Sequence, residues 1–305
     1  MVDSIVWKYH SPYDNSQPEI SLDTDNVPQF EGCSIVPLVG KRGFLLPPVT
    51  LRTDRIPQRP GNVLRERVVD PRTLDIPFRI SAPDYTQLVA LQRYLSEALF
   101  LTSGSLIFNF AKKKRELVRC TYVDGHLGDD NDDNQFVVWA NMMLSFEAHD
   151  PYFYGFTESD YITVTNAVLD ESAIPKLLDD NFLDNMLGPG RFGESWEIFN
   201  FGADTAWGVW TIQGPADSGL SVGRVGGSKF IINKRIYDGE IVTVDTTPGV
   251  KTVTSSIEGD IFSKLSNTSL LWGFPKGKSK VKLDFMGISA ETKVSCSARI
   301  PYPTM

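Results

Sequence analysis

The sequence predicts a mainly β protein in two parts: a sheet-rich barrel- or sandwich-like domain with one α-helix, then a β-sandwich of jelly-roll type. Twenty-four Gly and 19 Pro among 305 residues interrupt the chain about once in seven positions. Sheets joined by many turns tolerate that density; long helical bundles do not. Only one stretch has apolar residues at helical spacing: Leu88, Leu91, Leu95 and Leu99. Beyond Trp196, short β-type runs recur about every ten residues, with Gly, Pro and Asn at their joins.

The first half reads as strands, one helix, then strands. Ser4–Lys8, Ser34–Val39 and Val49–Arg52 are brief β-type runs between Pro- or Gly-bearing segments. Val63–Val69 alternates apolar and Arg residues only in part, as one arm of a hairpin. Leu74–Ile80 alternates cleanly if Pro77 takes an outward or edge position. Ser81-Ala82-Pro83-Asp84 is a start signal for a helix over 82–99, and Ser103-Gly104 is its stop. A single leucine stripe of about four turns suits a helix lying on a sheet. Leu106–Phe110, Leu117–Val123 and Phe136–Ala148 follow as strands, the last two flanking the acidic stretch 124–134. Residues 151–195 contain no convincing long element. The sandwich strands are then Trp207–Gln213, Leu220–Val222, Lys229–Asn233, Glu240–Asp245, Val250–Ser255, Lys280–Phe285 and Thr292–Ser297. The division falls near 150–165, giving domains 1–155 and 156–305.

Composition and motifs exclude more functions than they suggest. The formal charge is −8 with a pI near 5.0, which argues against a nucleic-acid coat. Cys33, Cys120 and Cys296 are odd in number and far apart, so they read as buried reduced thiols rather than a disulfide or zinc framework. The N-terminus lacks a secretory pattern and no apolar run is long enough to span a bilayer, so a soluble protein made in a reducing cytosol is expected. His10, His126 and His149 do not stand at metal-ligand spacing, and no HExxH occurs. Gly188–Gly193 spells GxGxxG but lacks the preceding strand and following helix of a dinucleotide site. Gly226-Gly227-Ser228-Lys229 has the wrong order for a phosphate loop. The acidic stretch lacks the central Gly and closing Glu of an EF-hand, and no acid pair stands out for glycoside cleavage. The expectation is a protein that is not an enzyme, with no cofactor and no metal.

Charge and tryptophan placement leave alternatives open. Residues 41–72 carry a net five positive charges, and 112–119 form a second basic run. Arg55, Arg59, Arg65 and Arg67 could meet Asp129, Asp130, Asp132 and Asp133 of a neighbouring copy; two solvated faces fit equally. Trp207, Trp210 and Trp272 could stack on a sugar, which makes a carbohydrate-binding sandwich the alternative function, or fill the core.

Several segments in order resemble the distal tail protein family of long-tailed siphophages. Phe146-Glu147-Ala148-His149-Asp150-Pro151-Tyr152-Phe153-Tyr154-Gly155 resembles the end of that family's N-terminal domain. Ile198-Phe199-Asn200-Phe201-Gly202-Ala203-Asp204, followed by Trp210–Gly214, resembles the opening of its C-terminal domain. Asp238-Gly239-Glu240 through Asp245-Thr246 matches a further step, whereas 166–195 does not align. The resemblance implies a virion protein with a ring-forming N-terminal domain and a galectin-like C-terminal sandwich. It implies a homohexameric ring at the tail tip, assembled in the host cytoplasm. Its implied partners are the tail tube protein, the tail-tip hub protein and receptor-binding or other minor tail proteins, with no sequence-specific nucleic acid and no membrane insertion.

Overall fold

The computed structural model describes residues 2–9, 19–58, 60–100, 103–110, 113–127, 135–136, 138–164, 195–289 and 291–305. It divides into two compact units, Met1–Phe156 with Tyr302–Met305, and Thr157–Pro301. The last four residues, which the sequence division puts in the second domain, therefore pack with the first.

Unit 1 comprises β1 (Val2–Tyr9), β2 (Glu19–Ser21), β3 (Ser34–Pro37), β4 (Val49–Arg55), β5 (Asn62–Val69), β6 (Arg72–Ser81), α1 (Tyr85–Leu99), β7 (Ser103–Phe110), β8 (Lys113–Leu127), β9 (Gln135–Phe136), β10 (Trp139–Ala148) and β11 (Phe153–Gly155). Its main sheet is a curled half-barrel in the order β2-β1-β7-β8-β10-β6-β3, with β11 on β8 and β9 on β10. In β6, Leu74, Ile76, Phe78 and Ile80 point into the core, while Thr73, Asp75, Pro77 and Arg79 do not. This is the period of two that a half-buried strand requires. β6 is not an edge strand. Pro77 takes the outward face, and although β3 ends at Pro37 opposite Phe78, the Pro77 carbonyl still accepts from the Leu38 N–H at 2.7 Å.

Helix α1 buries Leu88, Leu91, Leu95 and Leu99, the four residues of the sequence stripe. Its ends differ from the sequence expectation. Asp84, not Ser81, is the N-cap, with its carboxylate accepting from the Gln87 amide at 2.9 Å. The helix ends at Phe100, whose N–H donates to the Ser96 carbonyl. Ser103 and Gly104 instead open β7. Gly104 is needed there because an added Cβ would collide with the Lys8 carbonyl of β1.

Unit 2 comprises β12 (Tyr161–Val164), β13 (Ser195–Asn200), β14 (Gly208–Gln213), β15 (Leu220–Arg224), β16 (Lys229–Ile232), β17 (Ile241–Asp245), β18 (Thr252–Ser255), β19 (Gly259–Asp260), β20 (Gly277–Asp284) and β21 (Lys293–Arg299). A six-stranded sheet, β12-β21-β14-β17-β18-β19, and a four-stranded sheet, β13-β20-β15-β16, form the sandwich. Alternate residues of the two inner faces make its core, among them Trp210, Val242 and Val244 from one sheet and Val222, Phe230, Val281 and Leu283 from the other. Gly226 and Gly227 make the β15–β16 turn, with Gly226 at φ +72.

Candidate assembly surface

β4 and β5 form a two-stranded sheet of their own. All of β4 and the first six residues of β5 are exposed. The register pairs Leu51 with Arg67, Arg52 with Glu66, and Thr53 with Leu64, leaving Arg65 as an extra residue between the last two pairs. Directly opposed residues share a face, so this irregularity separates the hairpin into two. One face holds Val49, Leu51, Leu64 and Val69 with Arg55 and Arg67. The other is stitched by Arg52–Glu66 at 2.8 Å and Arg65–Asp54 at 2.6 Å. Leu51, opposite Arg67, and Leu64, opposite Thr53, are each 53% exposed on the first face.

Of the arginines expected at an interface, Arg65 is thus paired within its own hairpin. Arg55 and Arg67 have no ion-pair partner among the described residues. Arg59, Asp129, Asp130, Asp132 and Asp133 lie outside the described residues, as does the GxGxxG stretch. Arg72, counted with the basic stretch, is buried at the root of β6. It donates to the carbonyls of Pro151, Gly43, Leu45 and Pro303, and lies 4.5 Å over the Phe153 ring. Burial lowers its pKa to about 10.

The sugar-stacking alternative loses two of its three tryptophans. Trp210 is fully buried and Trp272 nearly so. Trp272 packs on Trp210 and Phe274 and donates its indole N–H to the Val222 carbonyl at 3.3 Å. Trp207 is half-buried. The three cysteines are free and buried, and burial pushes the Cys120 thiol up to about 12. His149 lies between Glu147 and Thr121 on an exposed surface. Among the described residues no three His, Cys, Asp or Glu side chains converge as a metal cage would need, and no helix is long and apolar enough to cross a membrane. A shallow groove of about 540 Å³ runs along the outside of α1, lined by Phe30, Tyr85, Val89, Arg93 and Tyr94.

The motif residues behind the family resemblance turn out to be polar staples. Asn200 is buried and donates to the Asp204 and Phe274 carbonyls while accepting from the Gly202 amide. Gly202 is obligatory because a Cβ would press on Pro301 and on Asn200 itself. Asp150 accepts from the Tyr152 amide and the Tyr154 hydroxyl. Glu240 is completely buried, bonded to Lys234 at 2.5 Å, to the Tyr237 amide at 2.9 Å and to the Ser255 hydroxyl. Thr246 both donates to and accepts from the Gly208 backbone. Sequence reading found these residues but not the groups they bond.

This order of a helix-backed antiparallel sheet and a β-sandwich is similar to that of solved chains from phage tail-tip and baseplate assemblies. The SPP1 Dit protein (gp 19.1), described as a paradigm of the hub adsorption apparatus in phages infecting Gram-positive bacteria, is similar with a TM-score of 0.63 at 13% identity, covering 97% of this chain and 98% of that one. A chain of the phage P2 baseplate in its activated conformation with Ca is similar with a TM-score of 0.56 at 9% identity over the full length of both. The phage p2 baseplate with Sr gives 0.55 at 9% identity over 99% of each chain. At such identities the likeness is one of fold. No family model matches the sequence, and no curated protein matches it.

Proposed function

We propose that this chain is a structural virion protein of a long-tailed phage, forming a hexameric distal tail ring that joins the tail tube to the tail-tip hub. The observation that carries the reading is the fold likeness to tail-tip proteins, which runs through both units over nearly the whole chain. Unit 1 builds the ring and the sandwich, galectin-like in this reading, projects as a platform for adsorption proteins. The protein has no catalytic role, needs no cofactor, and works at the tail tip of the virion after assembly in the host cytoplasm. A hairpin that buries so little of its own apolar surface is marginal alone, which suits an arm held by a neighbour. In the ring the Leu51–Leu64 face of β4–β5 lies on the next copy, and Arg55, Arg59 and Arg67 meet the acidic stretch that carries Asp129, Asp130, Asp132 and Asp133. Such a head-to-tail contact closes into a ring when its rotation is right.

Light scattering coupled to size exclusion tests the assembly. The expected particle has six times the 34.0 kDa of one chain and a central hole in negative-stain images. A protein that remains monomeric up to its solubility limit, alone and with its tube and hub partners, overturns the reading.

A further inference from the structure

We infer that the groove along the outside of α1 receives the Leu45–Leu46 loop of a second copy of this chain; the contact rests on the ring reading above. Leu45 and Leu46 are 78% and 71% exposed, yet the loop that carries them is fastened. The Arg42 N–H donates to the Asp75 carbonyl at 2.9 Å, and the Phe44 ring packs on the core, edge-on to Phe108. The carbonyls of Gly43 and Leu45 accept from the buried Arg72 guanidinium at 2.8 and 2.9 Å. Beyond the leucines, Pro47 and Pro48 fix two successive φ angles. The two side chains are therefore held out to solvent on a loop with little freedom left to lose, as a preorganised contact requires. From Pro48 the chain passes directly into β4, so the pair is continuous with the exposed Val49 and Leu51.

The groove supplies the matching half. Phe30, Tyr85, Val89, Ala90 and Tyr94 give it apolar walls, and Tyr85 is exposed rather than covered by its own chain. Its rim is mainly acidic: Glu97 lines it, and Glu31 and Asp84 adjoin Phe30 and Tyr85, against Arg93. The loop is basic, with Lys41 and Arg42 just ahead of the leucines. None of these six charged side chains has an ion pair among the described residues. Apolar surface and charge thus match across the two patches, and both patches belong to one sequence. Every further copy brings both halves, which no unrelated partner is bound to do. The loop is fastened to the first residues of β6, whereas the helix that forms the groove follows its last. The contact therefore joins different patches of the two copies, the head-to-tail kind that closes into a ring when its rotation is right.

Chemical linking and light scattering of the full chain test this. The native cysteines are buried, so a short bismaleimide should link the double variant L46C/A90C into covalent ladders of two or more chains, while either single variant stays unlinked. Leu45→Ser with Leu46→Ser should raise the concentration needed for half-assembly at least about tenfold, as withholding a leucine from burial implies. Both leucines are exposed in the single chain, and an unfolding midpoint equal to the parent's will separate lost contact from lost structure. Assembled particles in which the L46C/A90C chains stay single, or link only within a chain, would overturn the inference and leave the ring reading standing. So would a serine variant that assembles as the parent does, even if it no longer joins tube or hub protein. Ladders from a particle of other than six copies would support the contact and overturn the hexamer; a parent that stays monomeric overturns both.

Discussion

Glu240 is the residue where charge, burial and fold identity meet. Its carboxylate has no exposed surface, and the Lys234 ammonium beside it is also buried. Burial pushes the Glu240 pKa up, but the bonds from Lys234, Ser255 and the Tyr237 amide outweigh it and hold the group below its ordinary 4.5. Burial likewise pulls Lys234 down, while Glu240 and Glu258 raise it above 10.5. A depressed acid contributes stability that is complete above its unfolded pKa and is lost as pH falls through the folded value. A raised base contributes stability that is complete below its unfolded pKa and is lost as pH rises through the folded value. The pair therefore stabilises unit 2 fully between pH 4.5 and 10.5. Glu240→Gln keeps the shape and leaves Lys234 with one carboxylate, the half-exposed Glu258 3.3 Å away, beside the Arg235 carbonyl at 3.2 Å. Breaking such a buried pair costs about 3 kcal/mol. Urea titrations should show this loss at neutral pH together with a flatter acid limb; an unchanged midpoint would mean that Lys234 finds water instead. The Asp-Gly-Glu signal was legible in the sequence, but Ser255 and Glu258, distant in the chain, were not.

At the level of elements, the legible parts are those whose side-chain period survives intact. The four leucines of α1 and the alternation of β6 are periodic without interruption, and both elements are where the sequence places them. Strands β2, β11, β12 and β19 are two to four residues long, too short to carry a period, and exist because a longer strand offers them hydrogen bonds. The hairpin fails differently. Arg65 is an extra residue in β5, so the alternation of Val63–Val69 changes phase midway and brings Leu64 onto the face of Arg67 and Val69. Sequence alternation alone would group Arg65 with Arg67 and hide the apolar face. Under the ring proposal, Arg55→Glu with Arg67→Glu should shift the particle towards monomer at moderate salt. The monomer itself should keep its stability within about 0.5 kcal/mol, as exposed substitutions do. Leu51→Ser with Leu64→Ser should have the same effect and resist reversal by salt. Sedimentation velocity of the two pairs measures both outcomes, and rings that persist in both variants would leave the hairpin a solvated arm.

At the scale of the whole chain, the two-part plan was readable as a change of texture, whereas the return of the C-terminus to unit 1 was not. Four residues carry no pattern; their place is decided by what they complete. Tyr302 exchanges two backbone hydrogen bonds of 2.8 Å with Phe153, extending the path of β11. Its ring lies 3.9 Å under the Arg115 guanidinium. Pro303 offers Arg72 a carbonyl at 2.6 Å. Arg72 is 1% exposed, and the acceptors it bonds at Gly43, Leu45, Pro151 and Pro303 are all backbone carbonyls, so each acceptor counts. Ending the chain at Pro301 removes one charge-assisted hydrogen bond, two backbone hydrogen bonds and one cation–π contact, together at least about 3 kcal/mol. That loss belongs to unit 1 although the deletion lies at the far end of unit 2 in sequence. Hydrogen exchange should therefore show the slowest amides of β8 and β10 exchanging about a hundredfold faster in the truncated chain, while those of β14 and β17 keep the rates of the parent. A deletion that speeds exchange in the sandwich instead, or in neither unit, would show that the tail only rests on unit 1 and does not complete it.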